Sequence, residues 1–362
     1  MKTWDIIIAG AGLIGVSLAL ELRRRGADVL VLERGEPGRE SSSAAAGMLA
    51  AADPETPPAL RPLAMESARI FPEFVGQLES LSGMQVDFRR HGSIALLADP
   101  ETPPAHRQLT SDELQRLEPS LQPQHYSAFF LHEDSVDPDL LMQAALIAAQ
   151  KAGVELRSHT AVEQMRAAGP HVEVIAGGER LAARKAVNCC GAWSGAPVKP
   201  RKGQMLYLQP QTANLLTHVL RAPEVYLVPR SSGKILVGAT VEDVGFNKTV
   251  EAETMHHLHR QAARFVPELA SAKVVSSWAG LRPGTPDDLP VLGETQVRGI
   301  FVASGHFRNE ILLTPATAKM MADLLREKPL PMDLSAFRPS RFAPRRHGEE
   351  QNLTADDADS TD

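Results

Sequence analysis

The sequence predicts a mixed α/β protein with two lobes, and three observations favour this fold class. The chain has 362 residues, about twice the length of a typical single domain. At the amino terminus a buried strand, a glycine-rich turn, a helix and a second strand follow one another in the order of a dinucleotide-binding unit. Segments after residue 200 read as strands of a separate sheet, and residues 314–325 read as a terminal helix.

Composition and charge exclude several other classes of protein. Hydrophobic residues make up 43% of the chain and charged residues 23%, as in a globular protein with a packed core. The net charge of −6 offers no basic surface to a phosphate backbone or an anionic membrane. The uncharged stretch from Ile6 to Leu20 is too short to span a bilayer. We therefore expect neither a nucleic-acid partner nor a membrane partner.

The cysteine content favours a reducing compartment. Cys189 and Cys190 are adjacent and are the two cysteines of the chain, so they build neither a disulfide framework nor a four-ligand zinc site. We expect a cytoplasmic protein in which both thiols are structural. His256, His257 and His259 share one predicted helix without a carboxylate at ligand spacing, so they indicate a solvated face and no metal site is predicted.

The amino-terminal segment predicts a dinucleotide site. Residues 4–9 form an apolar strand that leads into a glycine turn and a helix. In that turn Gly10 permits the tight bend, Gly12 lets the backbone approach a pyrophosphate, and Gly15 allows close helix–strand packing. The N–H groups at the helix start suit phosphates. Glu33 ends the second strand, where it can bind a ribose diol and repel a 2′-phosphate, so FAD or NAD is favoured over NADP.

A run of small residues from Ser41 to Ala50 follows the ribose-binding strand. This pattern is typical of a flexible loop, and equally of a wall of small side chains and serine hydroxyls beside a large flat ring. Composition alone leaves both interpretations open.

Eight motifs in a fixed order carry a resemblance to a known family. They are Ser42–Ala50, Val136–Pro138, Cys190–Ser194, Lys202–Gln204, Tyr226–Arg230, Gly238–Thr240, Trp278–Pro286 and Gly305–Asn309. Together they resemble the glycine oxidase and D-amino acid oxidase family of FAD-dependent oxidoreductases. The resemblance extends from residue 2 to residue 326 and is strongest to the glycine oxidase branch, which is associated with thiazole synthesis for thiamine.

The resemblance implies a Rossmann-like FAD-binding domain interleaved with an antiparallel-sheet substrate domain. The FAD-binding domain is expected at residues 1–84, 136–200 and 275–335, and the substrate domain at 85–135 and 201–274. Residues 338–362 are polar and strongly charged, so a disordered tail is expected there. Family members are often homotetramers, which implies a homo-oligomer.

FAD is the cofactor that the resemblance implies, and we expect it to be held without a covalent bond. The sarcosine oxidase branch attaches its flavin through a late cysteine, whereas no cysteine follows Cys190 here. The expected cofactor-binding residues are Gly10, Gly12, Ile14, Gly15, Glu33, Arg34, Ser42, Ser43, Ala45, Ala46, Gly47, Met48, Val162, Cys190, Gly191, Trp193, Arg282, His306, Arg308, Asn309, Glu310, Ile311 and Leu312.

Three residues are expected to form the catalytic site. An amino acid oxidase must hold the substrate carboxylate, and a guanidinium does so with two parallel hydrogen bonds. The resemblance assigns this role to Arg282, an assisting hydroxyl to Tyr226, and a substrate or flavin-edge contact to Arg308. Taken without the resemblance, such residues are more often surface ion pairs or core rings. We expect Arg230 to be a surface ion pair of this kind.

The implied reaction is hydride transfer from glycine, sarcosine or a small D-amino acid to the flavin. Molecular oxygen then accepts the electrons and yields hydrogen peroxide, while the imine hydrolyses to an oxo acid and ammonia or passes to thiazole synthase. Two alternatives stay open. One is a D-amino acid dehydrogenase that passes electrons to a quinone or a protein, and the other is a catalytically impaired flavoprotein scaffold.

Two glutamates depart from the family pattern. Glu224 stands where histidine is frequent, and near the pocket its charge would attract an amine or disfavour a bulky anion. Glu310 stands where glycine is usual, in the loop that faces the flavin. It either obstructs that loop, since glycine permits close backbone approach, or points to solvent.

Overall fold

Three sheets and seven helices are present in the part of the chain that the computed structural model describes, residues 2–53, 55–98 and 107–342. The helices are α1 Leu13–Arg24, α2 Ser41–Ala44, α3 Arg61–Ser82, α4 Ser111–Leu117, α5 Pro138–Lys151, α6 Ala252–Phe265 and α7 Glu310–Leu325. The strands are β1 Thr3–Ala9, β2 Val29–Leu32, β3 Met48–Leu49, β4 Phe88–Arg89, β5 Ser93–Leu97, β6 Arg107–Gln108, β7 Ser127–Leu131, β8 Asp134–Val136, β9 Glu155–Arg157, β10 Val162–Ala168, β11 His171–Ala176, β12 Glu179–Asn188, β13 Lys199–Gln209, β14 Val219–Ala222, β15 Val225–Pro229, β16 Ile235–Gly238, β17 Lys273–Gly284, β18 Val291–Glu294 and β19 Ile300–Ser304. Over these ranges no helix is both long and apolar enough to cross a bilayer.

The first sheet has a parallel centre around β1, which confirms the Rossmann-like fold class. β1 lies between β2 and β12, and β9 continues the parallel order beyond β2. The long strand β12 pairs antiparallel with β11 along its first half and parallel with β19 at its end. Ile6 and Ile8 pack among the helices on one face, and Ile7 packs against β11 residues on the other. Both faces are covered, so the strand is apolar throughout.

The second sheet has the order β17-β13-β16-β15-β14-β5-β7-β6. It is antiparallel as expected, except that β5 and β14 pair in parallel. Helix α6 covers one face and contributes Leu258 and Phe265 to a core with Leu206 and Val237. A small third sheet, with the order β3-β8-β4, joins the run of small residues to the start of α5.

Sheet membership departs from the expected lobe boundaries at one main point. The boundary at residue 275 falls inside β17, which pairs with β13 from Lys273 to Gly284 and belongs wholly to the second sheet. The first five residues of β17 are exposed at the sheet edge, so their mixed polarity did not indicate a strand. Of the expected tail, residues 339–342 form a short 3-10 turn in which Arg341 pairs with Asp287 at 2.8 Å. Residues 343–362 lie outside the described residues.

Helix α7 begins at Glu310, four residues before the expected start at residue 314. Pro315 lies inside the helix and has no N–H to donate. Next to it, the buried hydroxyl of Ser67 on α3 bridges the following backbone pair, because it donates to the carbonyl of Leu312 at 2.5 Å and accepts from the N–H of Ala316 at 3.2 Å. The helix therefore passes through the proline, and its first turn reaches the glycine turn before α1.

Close backbone contact at the glycine turn holds α1 against β1 and β12. A Cβ atom on Gly10 would lie 2.4 Å from the carbonyl oxygen of Cys189, and one on Gly15 would lie 2.1 Å from the carbonyl oxygen of Gly10. Both distances are too short for carbon and oxygen, so a side chain at either position requires the backbone to move. The packing role expected for Gly15 is therefore present.

Replacement of Gly15 tests this contact. We expect Gly15→Ala to lower the free energy of unfolding by about 1–3 kcal/mol, because the added methyl group overpacks a backbone contact. The matched control is Gly76→Ala, since Gly76 is an exposed α3 residue where an added methyl group would have no heavy atom within 4 Å. In that control the free energy of unfolding should rise by up to about 1 kcal/mol, because alanine has a higher helix propensity than glycine. Urea unfolding followed by circular dichroism measures both, and equal stabilities would contradict the packing argument.

Candidate active site

Two cavities adjoin each other between the first and second sheets. The glycine-turn cavity, of about 250 Å³, lies at the carboxyl ends of β1 and β2 and at the start of α1. The sheet cavity, of about 510 Å³, lies against β15, β16 and β17 of the second sheet. Ser41 and Glu310 line both cavities. The two cavities therefore meet at these residues; we call the pair the cleft and this junction its neck.

The glycine-turn cavity brings together twelve of the residues expected to bind the cofactor. They are Gly10, Gly12, Ile14, Glu33, Arg34, Ser42, Val162, Cys190, Gly191, Trp193, His306 and Glu310. The first turn of α1 carries no acidic side chain, and its Leu13 N–H donates to the Ser42 hydroxyl at 2.9 Å. Backbone N–H groups and the positive end of the helix dipole thus face this cavity.

Glu33 is held rigidly at the end of β2. One carboxylate oxygen accepts from the N–H of Ala11 and the other from the N–H of Gly35, both at 2.9 Å. Beside it, the Arg34 guanidinium lies 3.7 Å from the ring centroid of Trp193. A fixed carboxylate and the backbone N–H groups of a helix start fit the ribose and phosphate groups of a dinucleotide such as FAD.

The sheet cavity collects most of the other expected residues. They are Ala45, Ala46, Gly47, Met48, Tyr226, Arg282, Arg308, Asn309 and Ile311, together with Glu310. The run of small residues forms one wall of this cavity, and Ala44 packs so tightly on β17 that a Cβ atom on Gly280 would lie 2.5 Å from its methyl carbon. The Trp278 indole also donates to the carbonyl of Ala44 at 3.2 Å. The run is therefore an ordered wall, which decides between the two interpretations left open by its composition.

Arg230 is buried, so the expectation of a surface ion pair was wrong. Its guanidinium donates to the carbonyls of Ala46 at 2.6 Å and of Val136 at 3.0 Å, and Asp137 lies 3.8 Å away. Only 3% of the residue is exposed. Arg230 thus ties the second sheet to the wall of small residues, a role that depends on contacts between distant parts of the chain.

Arg282 lies at the centre of the sheet cavity. Its guanidinium covers Gly203 so closely that a Cβ there would lie 2.2 Å from Nη1, and Nη1 donates to the carbonyl of Thr240 at 3.0 Å. The guanidinium also bonds the Tyr226 hydroxyl, and the remaining N–H groups of this five-donor fork are available to an anion. Burial raises the pKa of the Tyr226 hydroxyl, and the neighbouring Arg282 cation opposes that shift only in part. The hydroxyl is therefore protonated at neutral pH and can donate.

A buried polar network lies behind Arg282. The Lys202 ammonium is completely buried and pairs with Glu242 at 3.0 Å. Glu242 in turn accepts from the Thr240 hydroxyl at 2.5 Å and from the Gln204 amide at 2.9 Å. This network holds the Thr240 segment whose carbonyl orients Arg282.

Two expected charged residues lie at the rim of the sheet cavity. The Arg308 guanidinium is half exposed and pairs with Glu55 at 2.5 Å. Glu224 is exposed at the turn between β14 and β15, where its φ is +68°. Arg221 also lines the cavity and pairs with Asp53 and Glu133. At the rim these acids compensate the arginines, whereas Arg282 has no carboxylate partner among the described residues.

Three expected cofactor-binding residues line neither cavity. Gly15 is part of the glycine-turn packing, Leu312 belongs to the hydrophobic core, and Ser43 donates its N–H to Gly38 at 3.3 Å. Sequence reasoning missed several lining residues, namely Ser41, Gly38, Arg39, Asp53, Arg221 and Gly238. The Gly238 motif was present in the sequence as a signal. No sequence signal indicated Arg221, because its place at the cavity depends on how the β14–β15 hairpin packs.

Burial sets the protonation of three groups at the cleft. It lowers the pKa of His306 to about 3 and raises the pKa of the Cys190 thiol to about 11. It also raises the pKa of Glu310, against hydrogen bonds from Ser42 and Ser41. His306 is therefore neutral at pH 7, and Cys190 is an unreactive thiol. Within the described ranges, no cluster of three or more His, Cys, Asp or Glu residues could hold a metal ion.

Comparison with known proteins defines the class. The family model described as FAD dependent oxidoreductase matches residues 5–324, so the chain belongs to this family and its cofactor is FAD. It is an FAD-dependent enzyme of the glycine oxidase type, a class that acts on CH–NH2 or CH–NH donors.

Particular relatives support this assignment. A glycine oxidase from Bacillus licheniformis is 34% identical, over 94% of this chain and 98% of its own length. A bifunctional protein ThiO/ThiG from Trichormus variabilis is also 34% identical, over 94% of this chain but only 55% of its own. The crystal structure of glycine oxidase from Geobacillus kaustophilus superposes with a TM-score of 0.88 at 32% identity, covering 96% of this chain and all of that one.

The buried neutral His306 predicts a specific acid sensitivity. Because its pKa is lowered on folding, the unfolded chain binds the extra proton first, and stability falls as pH drops below about 6.5. The titration of His306 alone lowers the free energy of unfolding by about 1.4 kcal/mol for each pH unit, down to the pKa of the folded state. We expect His306→Gln to flatten the dependence measured by urea unfolding between pH 7 and pH 5. The exposed control His256→Gln should keep the wild-type slope, and an unchanged slope in His306→Gln would contradict the assignment.

Proposed function

We propose that the protein oxidises glycine or another small amine, such as sarcosine or a small D-amino acid, by hydride transfer to FAD. One observation carries the proposal. The Arg282 guanidinium has no carboxylate partner among the described residues. It faces the sheet cavity, which adjoins the glycine-turn cavity. An unpaired, partly buried cation of this kind has to be matched by an anion. The carboxylate of an amino acid matches its fork geometry.

The chain's own residues then have distinct tasks. Arg282 binds the carboxylate, and the protonated Tyr226 hydroxyl donates a further hydrogen bond to it. The network of Lys202, Thr240 and Glu242 keeps the guanidinium in one orientation. The wall formed by Ala45 and its neighbours consists of small side chains, which leaves room for a flat ring.

When bound, FAD supplies the hydride acceptor. The protein then contributes orientation and electrostatics, since a fixed carboxylate places the α-carbon in one position. In this proposal the amino acid loses a hydride from its α-carbon and a proton from its nitrogen, so that the amine becomes an imine, and both hydrogens end in the peroxide formed from oxygen. Water converts the imine to an oxo acid and ammonia. Molecular oxygen takes up the two electrons and becomes hydrogen peroxide.

A link to thiazole synthesis is part of the proposal. The relative from Trichormus variabilis carries a ThiO part and a ThiG part on one chain, which supports thiazole synthase as the consumer of the imine. The cytoplasmic location and the homo-oligomer stay predictions from the sequence. The dehydrogenase and scaffold alternatives differ from this proposal in the electron acceptor and in flavin reduction, respectively, so one experiment separates all three.

That experiment follows the flavin absorbance after anaerobic mixing with glycine, sarcosine, D-alanine or D-proline, and then after admission of air. We expect bleaching by a small amino acid, followed by rapid return of the colour with formation of peroxide. Bleaching without rapid return in air would favour the dehydrogenase. No bleaching by any of these compounds would contradict the proposed function and favour the scaffold.

Replacement of Arg282 tests the carboxylate site itself. We expect Arg282→Ala to keep FAD but to weaken amino acid substrates by about 3–5 kcal/mol, because it removes one partner of a desolvated charge pair. The matched control is Arg201→Ala, since Arg201 lies opposite Arg282 on β13 but pairs with the exposed Asp243. The rate of anaerobic flavin reduction against substrate concentration measures both. An unchanged apparent affinity in Arg282→Ala would remove Arg282 from the site.

A further inference from the structure

Glu310 occupies the neck of the cleft. Only 7% of the residue is exposed, so it does not point to solvent as one interpretation of the sequence held. Its Oε1 accepts from the Ser42 hydroxyl at 2.5 Å, and the same hydroxyl accepts from the N–H of Leu13. A Cβ on Gly12 would lie 4.0 Å from Oε1. The carboxyl group therefore lies one hydroxyl away from the backbone N–H groups at the start of α1.

No cation compensates this carboxyl group among the residues that the structure describes. The charged and titratable groups around it are each engaged elsewhere. They are Arg308 on the preceding turn, paired with Glu55; Arg282 on β17, bonded to the Thr240 carbonyl; Glu33 after β2, bonded to two backbone N–H groups; and the neutral His306. Its hydrogen-bond partners among the described residues are the hydroxyls of Ser42 and Ser41 on α2. Burial accordingly raises the pKa of Glu310.

The position of Glu310 matters because FAD carries two negative phosphates. The start of α1 is the part of the cleft suited to such anions. A carboxylate beside them would add a third negative charge at a buried position, which is unfavourable. A carboxylic acid is uncharged and has one O–H to donate.

We propose that Glu310 binds FAD as a neutral carboxylic acid and donates a hydrogen bond to an acceptor atom of the cofactor. FAD binding then takes up one proton whenever Glu310 starts ionised. The inference rests on FAD as the cofactor and does not depend on which amine is oxidised. Glu310 is thus a cofactor-positioning residue. Because it stands where glycine is usual, it makes the affinity for FAD depend on protonation.

The linkage predicts a defined pH profile. Below the pKa of Glu310 in the free protein, the Kd for FAD is independent of pH. Above it, the Kd rises tenfold per pH unit until the higher pKa of the complex is reached, because the protonated form binds FAD more tightly than the ionised form. Calorimetry in two buffers of different ionisation enthalpy should show uptake of one proton in that range.

The test uses the full chain freed of FAD and titrated with FAD alone, with flavin fluorescence as the readout from pH 5 to pH 9.5. We expect Glu310→Gln to bind FAD with a pH-independent Kd close to the wild-type value at low pH, since the amide keeps a donor and cannot ionise. The matched control is Glu36→Gln, because Glu36 lines the same cavity but is exposed beside His159. It should keep the wild-type profile.

Two results would overturn the proposal. One is a wild-type Kd that does not change with pH and shows no proton uptake, and the other is a pH profile that survives in Glu310→Gln. If that variant fails to fold, the proton uptake of the wild-type protein still decides. No amine substrate enters these measurements, so their failure is distinct from a failure of the proposed oxidation.

Discussion

The rest of the structure depends on one backbone contact, between the glycine turn after β1 and the end of β12. Gly10 lies against the carbonyl of Cys189, and Gly15 lies against the carbonyl of Gly10, with no room for a methyl group at either place. Because of this contact α1 starts directly at the cleft and exposes its N–H groups there. Ser42 and Glu310 then reach the same point from two other helices.

The second sheet completes the cleft through a few polar contacts that join the lobes. Arg230 reaches across to the carbonyl of Ala46, and the Trp278 indole reaches the carbonyl of Ala44. These bonds pull the small-residue wall against β17, which explains why alanine and glycine are required there. Arg282 emerges from the same strand, so the anion site is positioned relative to the dinucleotide site by direct contacts and not by a hinge.

The place of Glu310 shows how a distant residue decides a local structure. Pro315 would by itself mark the first turn of a helix that starts near residue 314. The Ser67 hydroxyl, from a helix more than two hundred residues earlier, binds the backbone groups on both sides of the proline and lets α7 start at Glu310. That extra turn carries the carboxyl group into the neck, where burial changes its acidity.

The sequence by itself determined the features that depend on neighbours along the chain. Strand β1 contains the apolar run 4–9, and β2 ends directly before Glu33, as the sequence predicted. Of the residues that the resemblance placed in the site, all but Gly15, Ser43 and Leu312 line the cleft. Only the tertiary structure decided that Arg230 is buried and that Arg221 lines the sheet cavity. It also decided the length of β17 and the position of Ser41 beside Glu310 between the two cavities. These features arise where segments far apart in sequence pack together, and no local pattern of hydrophobicity or turn residues encodes which segments meet.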